Sequence, residues 1–162
     1  MFNSDLNSRA KALIARCIER NLMLATAESC TGGLVASLLT SIAGSSAVFE
    51  RGFVTYSNLA KQESLGVDPA ILAAFGAVSA ETARAMAEGT LRHSPAQVAV
   101  SVTGIAGPGG GSPEKPVGLV YFGCGTRQSL RVEERRFGDI GRDAVRLAAI
   151  AVALDLLSET VG

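Results

Sequence analysis

The apolar residues of the chain follow two kinds of pattern, which predict two kinds of element. Near the N-terminus they recur at helical spacing, at Leu6, Ala10, Leu13, Ile14, Cys17 and Ile18. This spacing places them on one face of an amphipathic helix, whose first N–H groups Ser4 or Asp5 can cap. A second amphipathic helix follows Ser79 as its cap, and a last, largely apolar helix is predicted to begin near Asp139.

Short apolar runs predict five strands, at residues 22–27, 48–56, 97–103, 117–124 and 130–137. A helix opened by Gly32 and Gly33 follows the first strand and extends to residue 42. A short helix at 59–65, capped by Asn58, follows the second. The last two strands suggest a hairpin. Strands that alternate with helices, together with this hairpin, predict an α/β sandwich whose mixed sheet is covered by helices on both faces.

Length and composition predict one domain over residues 1–162. Of these residues 48% are hydrophobic, which is enough for a sizeable buried core. The chain has 15 basic and 15 acidic side chains, so it lacks the broad positive field that attracts nucleic acid. The N-terminus has no signal-peptide layout, and the most apolar stretch, 147–154, is too short to cross a membrane. We therefore expect a cytoplasmic protein without nucleic-acid or membrane partners.

The last predicted helix is apolar around most of its circumference. Its apolar residues include Val145, Leu147, Ala148, Ile150, Ala151, Val152 and Leu154. Burial against a second copy of the chain would explain them, which predicts a homodimer or higher homo-oligomer. Burial within one chain explains them equally well.

Several familiar catalytic sites are poorly represented in the sequence. His93 is the only histidine and stands at a predicted helix end before Pro95, where it complements the helix dipole. The three cysteines are Cys17, Cys30 and Cys124, which suit reduced thiols and lack the spacing of metal ligands. We therefore expect a reaction that does not depend on a metal. The glycine-rich segment 104–116 lacks a Walker motif, and it is either an anion-binding loop or a mobile surface loop.

Without histidine or metal, a nucleophile needs a different base, and the chain has only three lysines, Lys11, Lys61 and Lys115. Only Lys61 lies in a predicted first helical turn. The helix dipole and partial burial would both lower its pKa there, so that a neutral amine becomes available. Tyr56 ends the preceding strand and could share a proton relay with Lys61.

Ser29 is the candidate nucleophile, since it follows an apolar strand and precedes a glycine-opened helix. N–H groups of that turn could stabilise an oxyanion. From the residues alone, an ordinary helix cap at Ser29 or Thr31 is the more common interpretation, and Ser29 is only a candidate. Cys30 is a rival nucleophile that the same turn could acidify.

Several segments resemble the C-terminal domain of the competence/damage-inducible protein CinA. They are TAESCTGG at 26–33, GFVTYSNLAK at 52–61, LGV at 65–67, GAVS at 76–79, VTGIAGPGGG at 102–111 and FGD at 137–139. The resemblance covers nearly the whole chain. It implies a nicotinamide-nucleotide amidohydrolase, which converts nicotinamide mononucleotide to nicotinate mononucleotide and ammonia without a cofactor. It also carries the family's proposed catalytic Ser, Tyr and Lys over to Ser29, Tyr56 and Lys61.

A substrate-binding set is expected around this trio. It comprises Cys30, Thr31, Gly32, Gly33, Asn58, Thr103, Gly104, Gly107, Arg142 and Arg146. The two arginines, one helical turn apart, are candidates for the phosphate, although such pairs often form only a solvated helix face. The alternative function is a non-catalytic domain that binds a nucleotide or a protein partner.

Overall fold

Helices and strands alternate along most of the chain in the computed structural model, which describes residues 2–162. In chain order the elements are α1 Ser4–Arg20, β1 Leu24–Glu28, α2 Leu34–Thr40, β2 Phe49–Val54, α3 Asn58–Leu65, α4 Pro69–Phe75, α5 Ala80–Arg92, β3 Val98–Gly104, β4 Leu119–Gly125, β5 Leu130–Arg136 and α6 Arg142–Val161. All five predicted strands are present, with ends within two residues of the predicted ones.

The five strands form one mixed sheet in the order β2-β1-β3-β4-β5. Strand β1 pairs in parallel with both β2 and β3, whereas β3, β4 and β5 pair antiparallel. In the register of the parallel strands, Glu28 at the end of β1 lies opposite Val54 of β2 and Val102 of β3. The segments that leave these three strands therefore meet at one edge of the sheet.

Helices cover both faces of the sheet, as predicted. The larger core joins apolar residues of α1, α2 and α6 to the central strands. A smaller core on the other face contains Ala27 of β1, Leu65 of α3, Leu72 of α4 and Met86 of α5. Strand β1 is buried throughout, and this burial includes the polar residues Thr26 and Glu28.

Helix α6 packs against α1 and the central strands, so burial within the chain accounts for most of its apolar residues. Leu147 remains 43% exposed. The predicted homo-oligomer stays a prediction, for which light scattering in solution is the direct test. None of the helices in residues 2–162 is long and apolar enough to span a membrane.

The predicted caps of two helices were wrong by one or two positions. Asn3, rather than Ser4 or Asp5, accepts an N–H of the first turn of α1. Ser57, rather than Asn58, does so for α3. A cap needs extended backbone just before the first helical residue, and both Asn3 and Ser57 have it.

Two further helix boundaries differ from the prediction. Helix α6 begins after Gly141 rather than near Asp139, and no side chain caps it. Helix α4 was not predicted, although its local signals are ordinary: Asp68 caps it and Pro69 occupies its first turn. At seven residues, α4 is too short to show a helical period.

Candidate active site

The segments that leave β1, β2 and β3 surround a cavity of about 250 Å³. Parallel strands commonly direct their carboxyl ends toward ligand sites in this way. The side chains of Ser29, Cys30, Tyr56, Lys61, Thr103 and Arg142 line the cavity, together with Ala77, Val78, Gly104, Ile105, Ala106, Gly107, Gly109 and Gly110. The cavity therefore brings together the three predicted catalytic residues and much of the glycine-rich segment.

Ser29 and Lys61 are in direct contact. Lys61 Nζ donates hydrogen bonds to Ser29 Oγ at 2.9 Å and to the Thr55 carbonyl oxygen at 2.7 Å. The Ser57 cap starts α3 soon after β2 ends, and Lys61 occupies its first turns with a side chain that is fully buried. Ser29 is 8% exposed. The amine is thus held between the nucleophile candidate and a backbone carbonyl.

Burial sets the protonation of Lys61. It lowers the pKa of the amine from its ordinary value of 10.5 to about 8, because a buried ammonium loses its hydration; the nearby Cys30 thiol opposes this effect. Among residues 2–162, no carboxylate forms a salt bridge with the amine. Lys61 can therefore lose its proton near neutral pH and accept one from a hydroxyl.

The turn that carries Ser29 is fixed by backbone hydrogen bonds. Ser29 N–H donates to the Val102 carbonyl of β3 at 2.9 Å, and Gly32 N–H donates to the Ser29 carbonyl at 3.0 Å. Gly32 and Gly33 both have left-handed backbone, with φ of 59° and 95°, which a side chain would strain. The two glycines thus allow the tight passage from β1 into α2.

Glu28 changes the expected source of oxyanion donors. Its buried carboxylate accepts N–H groups from Gly33 at 3.1 Å, Val35 at 3.0 Å and Ala36 at 2.9 Å. The sequence predicted N–H donors from Cys30 through Gly33, but the amides of Gly32 and Gly33 already have partners. The N–H groups of Cys30 and Thr31 make no hydrogen bond with another residue of the described range, so they remain as candidates.

Cys30 lies beside Ser29 but differs from it in reactivity. The side chain is buried, and burial raises the pKa of its thiol to about 12. A thiol nucleophile acts as the thiolate, which is scarce at such a pKa. Ser29, whose hydroxyl contacts the Lys61 amine, is therefore the better placed candidate for a nucleophile.

Tyr56 and Arg142 lie together at the mouth of the cavity. Arg142 donates from Nη2 to the Tyr56 hydroxyl at 3.1 Å and from Nη1 to the Gly107 carbonyl at 2.8 Å. Tyr56 is 63% exposed. No hydrogen bond joins the Tyr56 hydroxyl to Lys61 in the described residues, and the hydroxyl accepts one from Arg142 instead.

Some predicted binding residues lie outside the cavity lining. These are Thr31, Gly32, Gly33, Asn58 and Arg146. Arg146 does not line the cavity, but it contacts the turn after Ser29 because its Nη2 donates to the Thr31 carbonyl at 3.3 Å. Thr103 does line the cavity, but its hydroxyl donates to the Ala77 carbonyl at 2.7 Å.

His93 ends α5, as the sequence predicted, and its Nδ1 lies 2.8 Å from the Gly89 carbonyl. It does not line the cavity. Residues 2–162 contain no group of three or more His, Cys, Asp or Glu side chains placed to hold a metal ion.

Sequence reasoning missed two participants in this arrangement. One is the Thr55 carbonyl, for which a sequence carries no signal. The other is Glu28, for which a signal existed: an acidic residue ends an otherwise apolar buried strand, immediately before a turn into a helix. A carboxylate in such a place needs donors, and the free N–H groups of a helix start can provide them.

Comparison with known families agrees with this architecture. Residues 6–161 match the family described as the CinA C-terminal domain. A crystal structure of the competence/damage inducible protein CihA from Agrobacterium tumefaciens superposes with a TM-score of 0.98 and 52% identity, covering 100% of this chain and 99% of that one. A CinA superfamily protein from Klebsiella pneumoniae superposes with a TM-score of 0.91 and 33% identity, covering 96% and 97% of the two chains.

Curated relatives fall into two groups by length. The nicotinamide-nucleotide amidohydrolase PncC of Escherichia coli is 48% identical over 157 residues, which are 97% of this chain and 95% of that protein. A CinA-like protein of Syntrophobacter fumaroxidans is 52% identical over 147 residues, which are 91% of this chain but 34% of that protein. The chain therefore spans about a third of the length of relatives of the second kind.

Proposed function

Because the chain belongs to the family of the CinA C-terminal domain, we propose that it is an amidohydrolase that converts nicotinamide mononucleotide into nicotinate mononucleotide and ammonia. The observation that carries the proposal is the buried contact of 2.9 Å between Lys61 Nζ and Ser29 Oγ inside a cavity. The name of the similar E. coli protein, a nicotinamide-nucleotide amidohydrolase, supplies the substrate class.

In the first half of the reaction, Ser29 attacks the carboxamide carbon of the substrate. Neutral Lys61 takes the hydroxyl proton as the C–O bond forms, while the Thr55 carbonyl keeps one amine hydrogen oriented away from the nucleophile. The tetrahedral intermediate collapses when the C–N bond breaks. The Lys61 ammonium returns its proton to the nitrogen, and ammonia leaves a nicotinoyl ester on Ser29.

In the second half, water hydrolyses this ester with the same groups. Lys61, neutral again, takes a proton from water as the oxygen attacks the ester carbon. Breakage of the bond to Ser29 Oγ releases the carboxylic acid, and Lys61 gives its proton back to the serine. The acid then ionises, so that the cycle consumes one water and regenerates both side chains.

The negative charge of each tetrahedral intermediate needs hydrogen-bond donors. We assign this role to the turn after Ser29, where the Cys30 and Thr31 N–H groups lack other partners among the described residues. One such donor contributes on the order of 100-fold to the rate in other acyl-transfer enzymes. Gly32 and Gly33 then act by shaping the turn rather than by donating.

Arg142 is our candidate for the substrate phosphate. It stands at the mouth of the cavity, and its guanidinium can form charge-assisted hydrogen bonds to phosphate oxygens. In this proposal Tyr56 orients Arg142, because its hydroxyl accepts from that guanidinium. Arg146 supports the Ser29 turn through the Thr31 carbonyl instead of contacting the ligand.

The proposal includes three further expectations. The reaction uses no metal or organic cofactor, since Lys61 can serve as the base. The enzyme works in the cytoplasm, which suits three cysteines that are all free and buried. It forms a homo-oligomer, with no role for nucleic acid.

The direct test is ammonia release from nicotinamide mononucleotide, assayed with and without a chelator. We expect activity in both conditions from the wild type and from Cys30→Ala, and at least about 100-fold less from Ser29→Ala. A wild type that binds the nucleotide without releasing ammonia would support the non-catalytic alternative. Activity in Ser29→Ala, together with its loss in Cys30→Ala, would make Cys30 the nucleophile.

A further inference from the structure

Glu28 is a buried charged residue that the reaction above does not use. The residue is 1% exposed, and its carboxylate forms no salt bridge among the described residues. Three backbone N–H groups of α2 and the residue before it satisfy the two oxygens. Burial of a carboxylate without a cation is costly, so a residue that only ends a strand would rarely be a glutamate here.

The same residue also connects the two halves of the catalytic pair. The Glu28 carbonyl accepts the Thr55 N–H at 2.9 Å, and the Thr55 carbonyl accepts from Lys61 Nζ. Ser29, which Lys61 contacts, is the next residue after Glu28. A closed circuit of hydrogen bonds and covalent bonds therefore runs from Glu28 through Thr55 and Lys61 back to Ser29.

The Glu28 side chain limits how the turn after Ser29 can rotate within this circuit. Without it, the N–H groups of Gly33, Val35 and Ala36 would lose their acceptor, and the turn after Ser29 could rotate. With it, the amides of the first α2 turn are occupied, and the Cys30 and Thr31 amides are the ones left without partners in other described residues. The carboxylate thus decides which N–H groups of the turn remain available.

We propose that Glu28 is a positioning residue for the amidohydrolase reaction: its carboxylate anchors α2 to the end of β1 and thereby holds Ser29 against Lys61 with the adjacent N–H groups free. This inference rests on the proposed function for its kinetic consequence. Glu28 touches neither substrate nor nucleophile and acts only through the turn. The alternative is an ordinary structural cap, whose loss would lower stability without changing the reactivity of folded molecules.

The test compares wild type, Glu28→Gln, Glu28→Ala and the control Asn3→Ala. The glutamine keeps the size of Glu28 but loses one acceptor oxygen, whereas Asn3→Ala removes a helix cap far from the cavity. Two rates are measured on the folded fraction: ammonia release from nicotinamide mononucleotide, and labelling of Ser29 by a fluorophosphonate followed by intact mass. Amide hydrogen exchange locates any loosening.

We expect Glu28→Gln to lower both kcat and the labelling rate about tenfold, which corresponds to about 1.4 kcal/mol, with KM changed less than about twofold. Glu28→Ala should show a larger loss in both rates. Faster exchange should be confined to residues 29–36. Asn3→Ala should keep wild-type rates even if its stability falls. This control therefore distinguishes a change in the position of Ser29 from a general loss of stability.

Wild-type labelling rates in both Glu28 variants would overturn the proposal, and so would an equal loss in Asn3→Ala. Failure of the proposed function is a different outcome: the wild type would release no ammonia, yet the labelling rates would still decide the role of Glu28. A wild-type Ser29 that does not react with the fluorophosphonate would overturn the positioning role itself, since no activated serine would exist to be positioned.

Discussion

The floor and the mouth of the cavity are built in opposite ways. The floor consists of Ser29, Cys30, Thr31 and Lys61, which are all buried. The Ser29 N–H donates to the Val102 carbonyl, and the Lys61 amine donates to the Thr55 carbonyl. The mouth consists of Tyr56 and Arg142, two exposed side chains joined to each other. Burial alters the pKa of Lys61 on the floor, whereas groups at the mouth stay hydrated.

This difference assigns different tasks to the two regions. A buried, preorganised floor can hold a neutral amine against a hydroxyl, so changes there should reduce kcat. A hydrated mouth contributes ordinary charged contacts, so changes there should affect KM and leave kcat nearly intact. The following experiments test this division of tasks.

The largest effect is expected from Lys61→Met. Methionine fills the buried space without an amine, so the protein should fold while losing its base. We expect kcat to fall at least about 100-fold, the usual contribution of a general base. Lys11→Met, on the exposed side of α1, is the matched control and should retain full activity. More than a tenth of the activity in Lys61→Met would remove Lys61 from the mechanism.

The pH dependence of kcat/KM should follow Lys61. Burial lowers the pKa of its amine to about 8, and only the neutral form is a base. Activity should therefore rise about tenfold per pH unit below pH 8 and level off above it. A rise that continues toward pH 10.5, the ordinary value for lysine, would mean that the amine is hydrated in solution.

At the mouth, Arg142→Ala should raise KM for nicotinamide mononucleotide about tenfold, as expected for loss of a charge-assisted hydrogen bond, with kcat nearly unchanged. Nicotinamide riboside, which lacks the phosphate, should show little change in KM. Arg84→Ala, an exposed arginine outside the cavity lining, is the matched control and should leave both KM values unchanged. Equal effects of Arg142→Ala on both substrates would argue against a phosphate contact.

The smallest effect is expected from Tyr56→Phe. The hydroxyl contacts Arg142 near solvent, so its removal should change kcat less than about threefold by the usual size of an exposed hydrogen bond. Steady-state kinetics of this variant decide whether Tyr56 orients Arg142 or acts in the proton relay. A loss near 100-fold would instead place Tyr56 in the proton relay that its position in the family motif implies.

Local sequence patterns were enough to predict most of the helices and strands and to select Ser29 and Lys61 as candidates. Helical and strand periods depend on neighbouring residues, so all five strands and most helices could be predicted within two residues. Lys61 stood out because only three lysines were available and one lay at a helix start. The caps of α1 and α3 were missed because the first helical residue is hard to locate from sequence.

Ser29 and Lys61 are 32 residues apart, and the sequence alone determined only that they could serve as nucleophile and base on an α/β fold. Tertiary structure decided the rest. The parallel pairing of β1 with β2 and β3 buries the Lys61 amine against the Thr55 carbonyl, gives α2 its Glu28 anchor, and leaves Tyr56 at the mouth. Burial and hydrogen-bond partners depend on neighbouring strands, and a linear pattern does not specify which strands are neighbours.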